Sequence, residues 1–185
     1  MNSDISRILI SNDLIKERIK QLAEQITKDF LGQELVIVCI LKGAFIFAAD
    51  LCREINLPVN LEFMSISSYG NATVSSGVVR IIKDLNESIE GKNVLIVEDI
   101  IDTGLTVSYL ASLLSQRAPK SLKICSLCNK PQCHKTLVKI DYCGFELPSE
   151  FVVGYGLDFR DFYRNLPYIG VLKAEIYTRY LDSNG

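Results

Sequence analysis

The sequence predicts an α/β fold, a central parallel sheet flanked by helices on both faces. Three observations predict it. The segment LVIVCIL at 35–41 is apolar without interruption, as a strand covered on both faces must be. A second such run, VLIV at 94–97, leads through a short loop into an apolar repeat of helical period. Between 11 and 127, strand-like and helix-like segments alternate, which is how crossover helices join parallel strands.

Residues 11–30 predict a helix, because Ile15, Ile19, Leu22, Ala23, Ile26 and Phe30 recur at the spacing that lines one helical face. Gly32 is placed as its stop, since glycine readily adopts the left-handed backbone found after a helix. The strand at 35–41 follows, then a helix at 44–55. Residues 61–67 alternate in polarity and predict a strand. The polar stretch SYGNATVSSG at 68–77 predicts a loop, with a further strand at 78–83. The central strand is 94–97, its helix 103–117, and the next strand 122–127. Shorter strands are expected around 142–145, 151–153 and 169–172. No repeat, linker or low-complexity tract interrupts the chain, so its 185 residues are expected to form one domain with a substantial core.

Composition narrows the function classes. Hydrophobic residues are 48% and charged residues 23%, a globular balance. A net charge of −2 gives no electrostatic case for nucleic acid. The longest apolar run, 35–41, falls far short of the roughly 20 residues a membrane helix needs. The first residues, MNSDISRILISNDL, lack the basic-then-apolar order of a signal peptide, so a cytoplasmic location without a membrane partner is expected. Cys125, Cys128, Cys133 and His134 have spacings that suggest zinc. Yet Cys125 falls within a strand-like run and no second CxxC exists, so zinc is not expected. Cys39 and Cys52 sit in apolar contexts, as small core residues do, and disulfides are not expected in a cytoplasmic chain.

The chemistry concentrates at 94–106, VLIVEDIIDTGLT. A buried-strand run meets two carboxylates, Glu98 and Asp99; a loop adds Asp102; then Thr103, Gly104 and Thr106 open a helix. Helix N-termini carry free N–H groups and partial positive charge, which suits phosphate. Acids beside such a cradle suit the hydroxyls of a sugar phosphate, and in open α/β sheets ligands bind at this edge.

This stretch closely resembles the phosphoribosyl-pyrophosphate (PRPP) motif of the type I phosphoribosyltransferases. Its IIDTG form resembles the branch acting on 6-oxopurines, the hypoxanthine-guanine phosphoribosyltransferases. Four further segments match in order: LKGA at 41–44, SSYG at 67–70, Lys130-Pro131, and FVVGYGLD at 151–158. The resemblance thus covers nearly the whole chain. It implies the type I fold, in which the late short strands and the N-terminal part form a hood over the C-terminal edge of the sheet.

The resemblance also implies roles. Glu98 and Asp99 would accept from the ribose hydroxyls, and Thr103, Gly104 and Thr106 would hold the 5′-phosphate. Lys42, Gly43 and Arg164 would bind pyrophosphate, with a Leu41–Lys42 peptide that can be cis. Ser68 and Tyr69 would belong to a flap that closes on PRPP and excludes water. Lys130 would donate to the purine O6, Phe151 would stack on the ring, and the Val152 carbonyl would accept from the base. Asp102 would act as general base at the purine N7. Magnesium would be held with help from Asp158, Glu98 and Asp99. The implied partners are PRPP and a 6-oxopurine, and the implied assembly is a homodimer or homotetramer.

Non-enzymatic regulators share this fold, which keeps a binding-protein reading in view. The pyrimidine-operon regulators usually carry a bulky aromatic where this chain has Asp102, and adenine and orotate enzymes a small or hydroxyl residue. Asp102 together with Lys130 favours an enzyme of purine salvage. His134 is the only histidine and lies outside the motif, and neither GxSxG nor a Walker A sequence occurs, which argues against hydrolase and nucleotide-triphosphatase classes.

Overall fold

The computed structural model describes residues 1–68 and 79–181. In chain order the elements are β1 (Ile5–Ile10), α1 (Asn12–Asp29), β2 (Leu35–Leu41), α2 (Phe45–Glu54), β3 (Val59–Ser68), β4 (Val79–Lys83), β5 (Asn93–Ile101), α3 (Leu105–Ser115), β6 (Ser121–Asn129), β7 (Tyr142–Glu146), β8 (Val152–Val153), β9 (Ile169–Leu172) and α4 (Ala174–Leu181). Six strands form the main sheet in the order β4-β3-β2-β5-β6-β7. All its neighbours run parallel except β4, which is antiparallel to β3.

The central strands read as continuous apolar runs because both faces are covered. Along β2, Leu35, Ile37 and Cys39 join Leu95 and Val97 in the core beneath α1 and α2. Val36, Val38 and Ile40 join Val94 and Ile96 in the core beneath α3. The period of two sends alternate residues to opposite faces, and each face finds a helix layer. Helix α1 buries Ile15, Ile19, Leu22, Ala23 and Ile26, and the Ser11 hydroxyl accepts from the Leu14 N–H at 3.4 Å as its N-cap. Gly32, at φ +72°, turns the chain shortly after α1 ends.

Several boundaries differ from the sequence reading. Strand β5 does not stop at Val97. It stays paired with β6 as far as Ile101, with Glu98 opposite Ser126 and Ile100 opposite Cys128, so both acids lie on the strand itself. Helix α3 starts at Leu105 rather than 103, because Gly104 holds φ +78°, a left-handed conformation no helix interior uses. Strand β3 begins earlier, at Val59. The short strand β7 is not part of the hood but joins the main sheet beside β6. The Asp141 backbone N–H donates to the Ile124 carbonyl at 2.9 Å while its side chain accepts from the Ile124 N–H at 3.0 Å, which brings β7 alongside.

The hood is a second, three-stranded sheet in the order β1-β9-β8. Val153, Leu166 and Leu172 form its small core, against which Ile5, Ile176 and Tyr177 pack. The late strand keeps only Val152 and Val153, leaving Phe151 just outside it. Strand β1 and helix α4 were not expected as elements. The expected flap loop at 68–77 falls at the border of the described residues: Ser68 ends β3, whereas Tyr69 and the residues through 78 lie outside them.

Candidate active site

The C-terminal ends of β2, β5 and β6 lie side by side, and Gly43, Glu98, Asp99, Asp102 and the 103–106 loop come together there. Glu98 is only 7% exposed, and Asp99 is half-buried. Burial pushes the Glu98 carboxyl well above the ordinary range, and the Asp99 charge adds to the effect. Burial also raises Asp99, to about 6, against the pull of the Ile100 N–H, which donates to its carboxylate at 2.9 Å.

Asp99 explains a glycine. An added Cβ at Gly43 would fall 1.7 Å from Asp99 Oδ2, so the turn after β2 tolerates no side chain there. Gly156, at φ +99°, meets the same turn from the hood side, and its added Cβ would fall 2.1 Å from the Gly43 carbonyl oxygen. The Leu41–Lys42 peptide is cis. Lys42 Nζ donates to Asp161 Oδ1 at 2.9 Å. Arg164 donates to the Gly156 carbonyl at 2.8 Å, and pairs with Asp158 at 2.8 Å and Asp161 at 3.1 Å. Lys42, and then Arg164, hold the Asp161 carboxyl below its usual range.

On the other flank, Thr103 and Gly104 lead into α3. The Thr103 hydroxyl accepts from the Leu105 N–H at 3.4 Å. The first turn of α3 offers N–H groups that no carbonyl of the helix can take. A cavity of about 290 Å³ opens here, lined by Gly43, Glu98, Asp99, Asp102, Thr103, Gly104 and Thr106. Among these are both strand acids and the whole candidate phosphate loop.

A second cavity, about 420 Å³, lies beside it and is lined by Asp102, Lys130, Cys133, Phe151, Val171 and Tyr177 among others. Lys130 is 7% exposed, and its ammonium stands 3.6 Å from Asp102 Oδ2. A buried ammonium needs acceptors, and Lys130 is a lining residue of this cavity. The Phe151 ring is 41% exposed. It stacks on Tyr177, centroids 5.4 Å apart at 30°, and meets Phe159 edge-on at 5.6 Å. Val152 is buried next to it. Two backbone bonds fasten this cavity to the first: Lys130 N–H to Ile101 O and Lys135 N–H to Thr103 O, both 2.9 Å. Asp102 alone of the chemically active residues lines both cavities.

Among the described residues no three His, Cys, Asp or Glu side chains converge as a cation cage. Glu98 and Asp99 supply hard oxygens to one cavity, and burial above all raises both carboxyls. That set fits a magnesium ion, which takes one or two carboxylates and completes its shell with water and substrate phosphate oxygens. Asp158 stands close enough for its charge to raise Asp99 further. Its oxygens accept from Arg164 and from the Asp161 N–H at 2.7 Å, so in this structure it orients the guanidinium. As for the zinc candidates, Cys125 and Cys128 are buried in β6, and His134 Nε2 pairs with Asn129 Oδ1 at 2.7 Å.

The family model described as a phosphoribosyl transferase domain matches residues 8–160. The chain belongs to the phosphoribosyl transferase family. It is 50% identical over 177 residues to the hypoxanthine-guanine phosphoribosyltransferase of Bacillus subtilis, covering 96% of this chain and 98% of that protein. It is 51% identical over 178 residues to the bifunctional protein TilS/HprT of Listeria innocua, and spans 28% of the length of that longer relative. A crystal structure of a hypoxanthine phosphoribosyltransferase from Staphylococcus aureus superposes with a TM-score of 0.93 at 47% identity, covering 96% of each chain. The fold, with its parallel sheet and hood, is therefore that of the type I phosphoribosyltransferases.

Asp161 and Tyr177, at this candidate site, escaped the sequence reading, and Cys133 entered it only as part of a zinc spacing. Asp161 stands three residues before Arg164, a spacing that could have marked it. Tyr177 lies in the amphipathic segment 174–181, and its apolar period could have been read as a helix.

Proposed function

We propose that this chain transfers the 5-phosphoribosyl group from PRPP to hypoxanthine and guanine, giving the purine 5′-monophosphate and pyrophosphate. The observation that supports it most is the position of Asp102, shared between an acid-and-phosphate-loop cavity and a lysine-and-aromatic cavity. A group that must touch the base while the sugar is held has to stand where those spaces meet.

In this reading Thr103, Gly104 and Thr106 grip the 5′-phosphate with the first turn of α3, and Glu98 and Asp99 accept from the ribose hydroxyls. The sugar is fixed at both ends, so the anomeric carbon moves between anchored groups. Lys42 and Arg164 meet the departing diphosphate with positive charge, next to the Gly43 backbone. Glu98 and Asp99, with help from Asp158, would hold a magnesium ion, which would supply Lewis-acid neutralisation of that leaving group. On the base side Lys130 donates to O6, Phe151 stacks on the ring and the Val152 carbonyl accepts from the purine edge. Asp102 takes the N7 proton as N9 attacks. Adenine presents an amino donor where O6 would be, leaving a buried ammonium unpaired, which costs at least ~1–3 kcal/mol. The proposal includes a role in purine salvage in the cytoplasm, as a homodimer or homotetramer of single-domain subunits. Among the described residues no helix is long and apolar enough to cross a membrane.

The test is Asp102→Asn, assayed with magnesium, PRPP and a panel of hypoxanthine, guanine, xanthine and adenine. Asn keeps size and polarity but cannot take a proton. We expect kcat to fall by about two decades or more while the Kd for PRPP stays within a few-fold. Unchanged turnover would remove Asp102 from the chemistry.

A further inference from the structure

Lys42 and Arg164 sit on different segments, one after β2 and one in the loop that follows β8, yet a single carboxylate pairs with both. Asp161 Oδ1 accepts from Lys42 Nζ at 2.9 Å and from Arg164 Nη2 at 3.1 Å. The side chain is 66% exposed, so it is not there to fill space. Its backbone is held in place: φ is +65°, and its N–H donates to Asp158 Oδ2 at 2.7 Å. Arg164 would keep its orientation without it, through Gly156 O at 2.8 Å and Asp158 at 2.8 Å. Lys42 would not, since Asp161 is its one side-chain partner among the described residues.

We infer that Asp161 is an internal stand-in for the diphosphate. Its carboxylate occupies the two cations in the free protein and must leave them when PRPP arrives. The inference rests on the reading of Lys42 and Arg164 as the pyrophosphate-binding pair. One oxyanion bridging two cations repeats what a diphosphate oxygen would do there. The carboxylate therefore lowers affinity for PRPP and for pyrophosphate together, and it returns to the cations as pyrophosphate departs. The gain for the cycle is release: a product diphosphate held by two unopposed cations would leave slowly, and an internal competitor shortens its stay.

Exposed ion pairs are each weak, so the effect is modest: relieving both should tighten diphosphate binding by roughly three- to tenfold. The test uses Asp161→Asn, and Asp161→Gly as a second variant. Both residues tolerate positive φ, so the loop can be kept. Pyrophosphate binding in the presence of magnesium is measured by calorimetry, alongside KM for PRPP and product inhibition by pyrophosphate. Expected are a lower Kd, a lower KM and stronger product inhibition in both variants. Lys42→Ala should weaken pyrophosphate binding in the native background, and in the Asp161→Asn background it should cancel most of the gain. Unchanged or weaker pyrophosphate binding in both Asp161 variants, with Lys42→Ala still harmful, overturns the stand-in role alone. If Lys42→Ala and Arg164→Ala leave pyrophosphate binding untouched, the assignment of the diphosphate site fails, and the stand-in role fails with it.

Discussion

Glu98 is a carboxyl 7% exposed, next to a second half-buried carboxyl, in a strand flanked by apolar neighbours. Such a pair opposes folding of the free protein and is kept for what it binds. Glu98→Gln is therefore expected to stabilise the ligand-free protein by about 1–2 kcal/mol, raising Tm by a few degrees, while weakening PRPP binding. Differential scanning fluorimetry and calorimetry read the two effects; a lowered Tm would mean that the carboxyl is structurally required. At this scale the sequence was uneven. Glu98, Asp99, Asp102 and the threonine loop were legible because strand, acids, loop and helix follow one another directly. Lys130, Phe151 and Arg164 carried no local signal, and only the family resemblance pointed to them. Asp161 and Tyr177 carried only faint local marks, a spacing to Arg164 and an amphipathic period, and their contacts come from segments far apart in sequence: Lys42 approaches Asp161 across 119 positions.

Among the elements, α1 illustrates how a helix is tied as well as packed. At its end Asp29 Oδ2 accepts from Tyr142 OH at 2.7 Å and from Lys123 Nζ at 3.0 Å, linking α1 to β7 and β6. Lys123 also lies 4.9 Å above the Phe30 ring. At its middle Arg18 donates to the carbonyls of Gly144 and Cys143 at 2.9 and 2.7 Å, which helps to explain why β7 sits at the sheet edge and not in the hood. The Tyr142 hydroxyl first, and then Lys123, lower the Asp29 pKa below its ordinary 3.8. A depressed carboxylate stabilises the fold above that ordinary value, and the contribution disappears as pH falls through the lower, folded-state value. Asp29 is partly exposed, so Asp29→Asn is expected to cost only ~0.5–1 kcal/mol at pH 7. In urea titrations the difference from the parent protein should shrink below about pH 4; a difference that persists undiminished there would assign the cost to packing. Strand β1 was missed because its pattern is mostly exposed, without the clean alternation that marks a half-buried strand.

For the whole molecule, two extensive apolar layers cover the faces of one sheet, while the hood has a core of three buried residues and a ring of half-buried ones. Free energy of local opening follows buried apolar area, so hydrogen exchange is expected to be least in β2 and β5 and markedly faster in β1, β8 and β9. Equal protection of hood and sheet would show that the two unfold only together. The parallel sheet and its flanking helices were readable from run length and period, because two-sided burial writes itself into composition. Strand order and the membership of the hood were not, because they are set by long-range pairing. One consequence remains in the backbone bonds that fasten Lys130 to Ile101 and Lys135 to Thr103. They pin the chain on both sides of Asp102, so in the proposed reaction the base cavity and the sugar-phosphate cavity would keep a fixed spacing, and a larger heterocycle would not be admitted by spreading them apart. Discrimination by size then falls to the aromatic wall of Phe151 and Tyr177, the side of the base cavity free to be remodelled without disturbing the grip on the sugar.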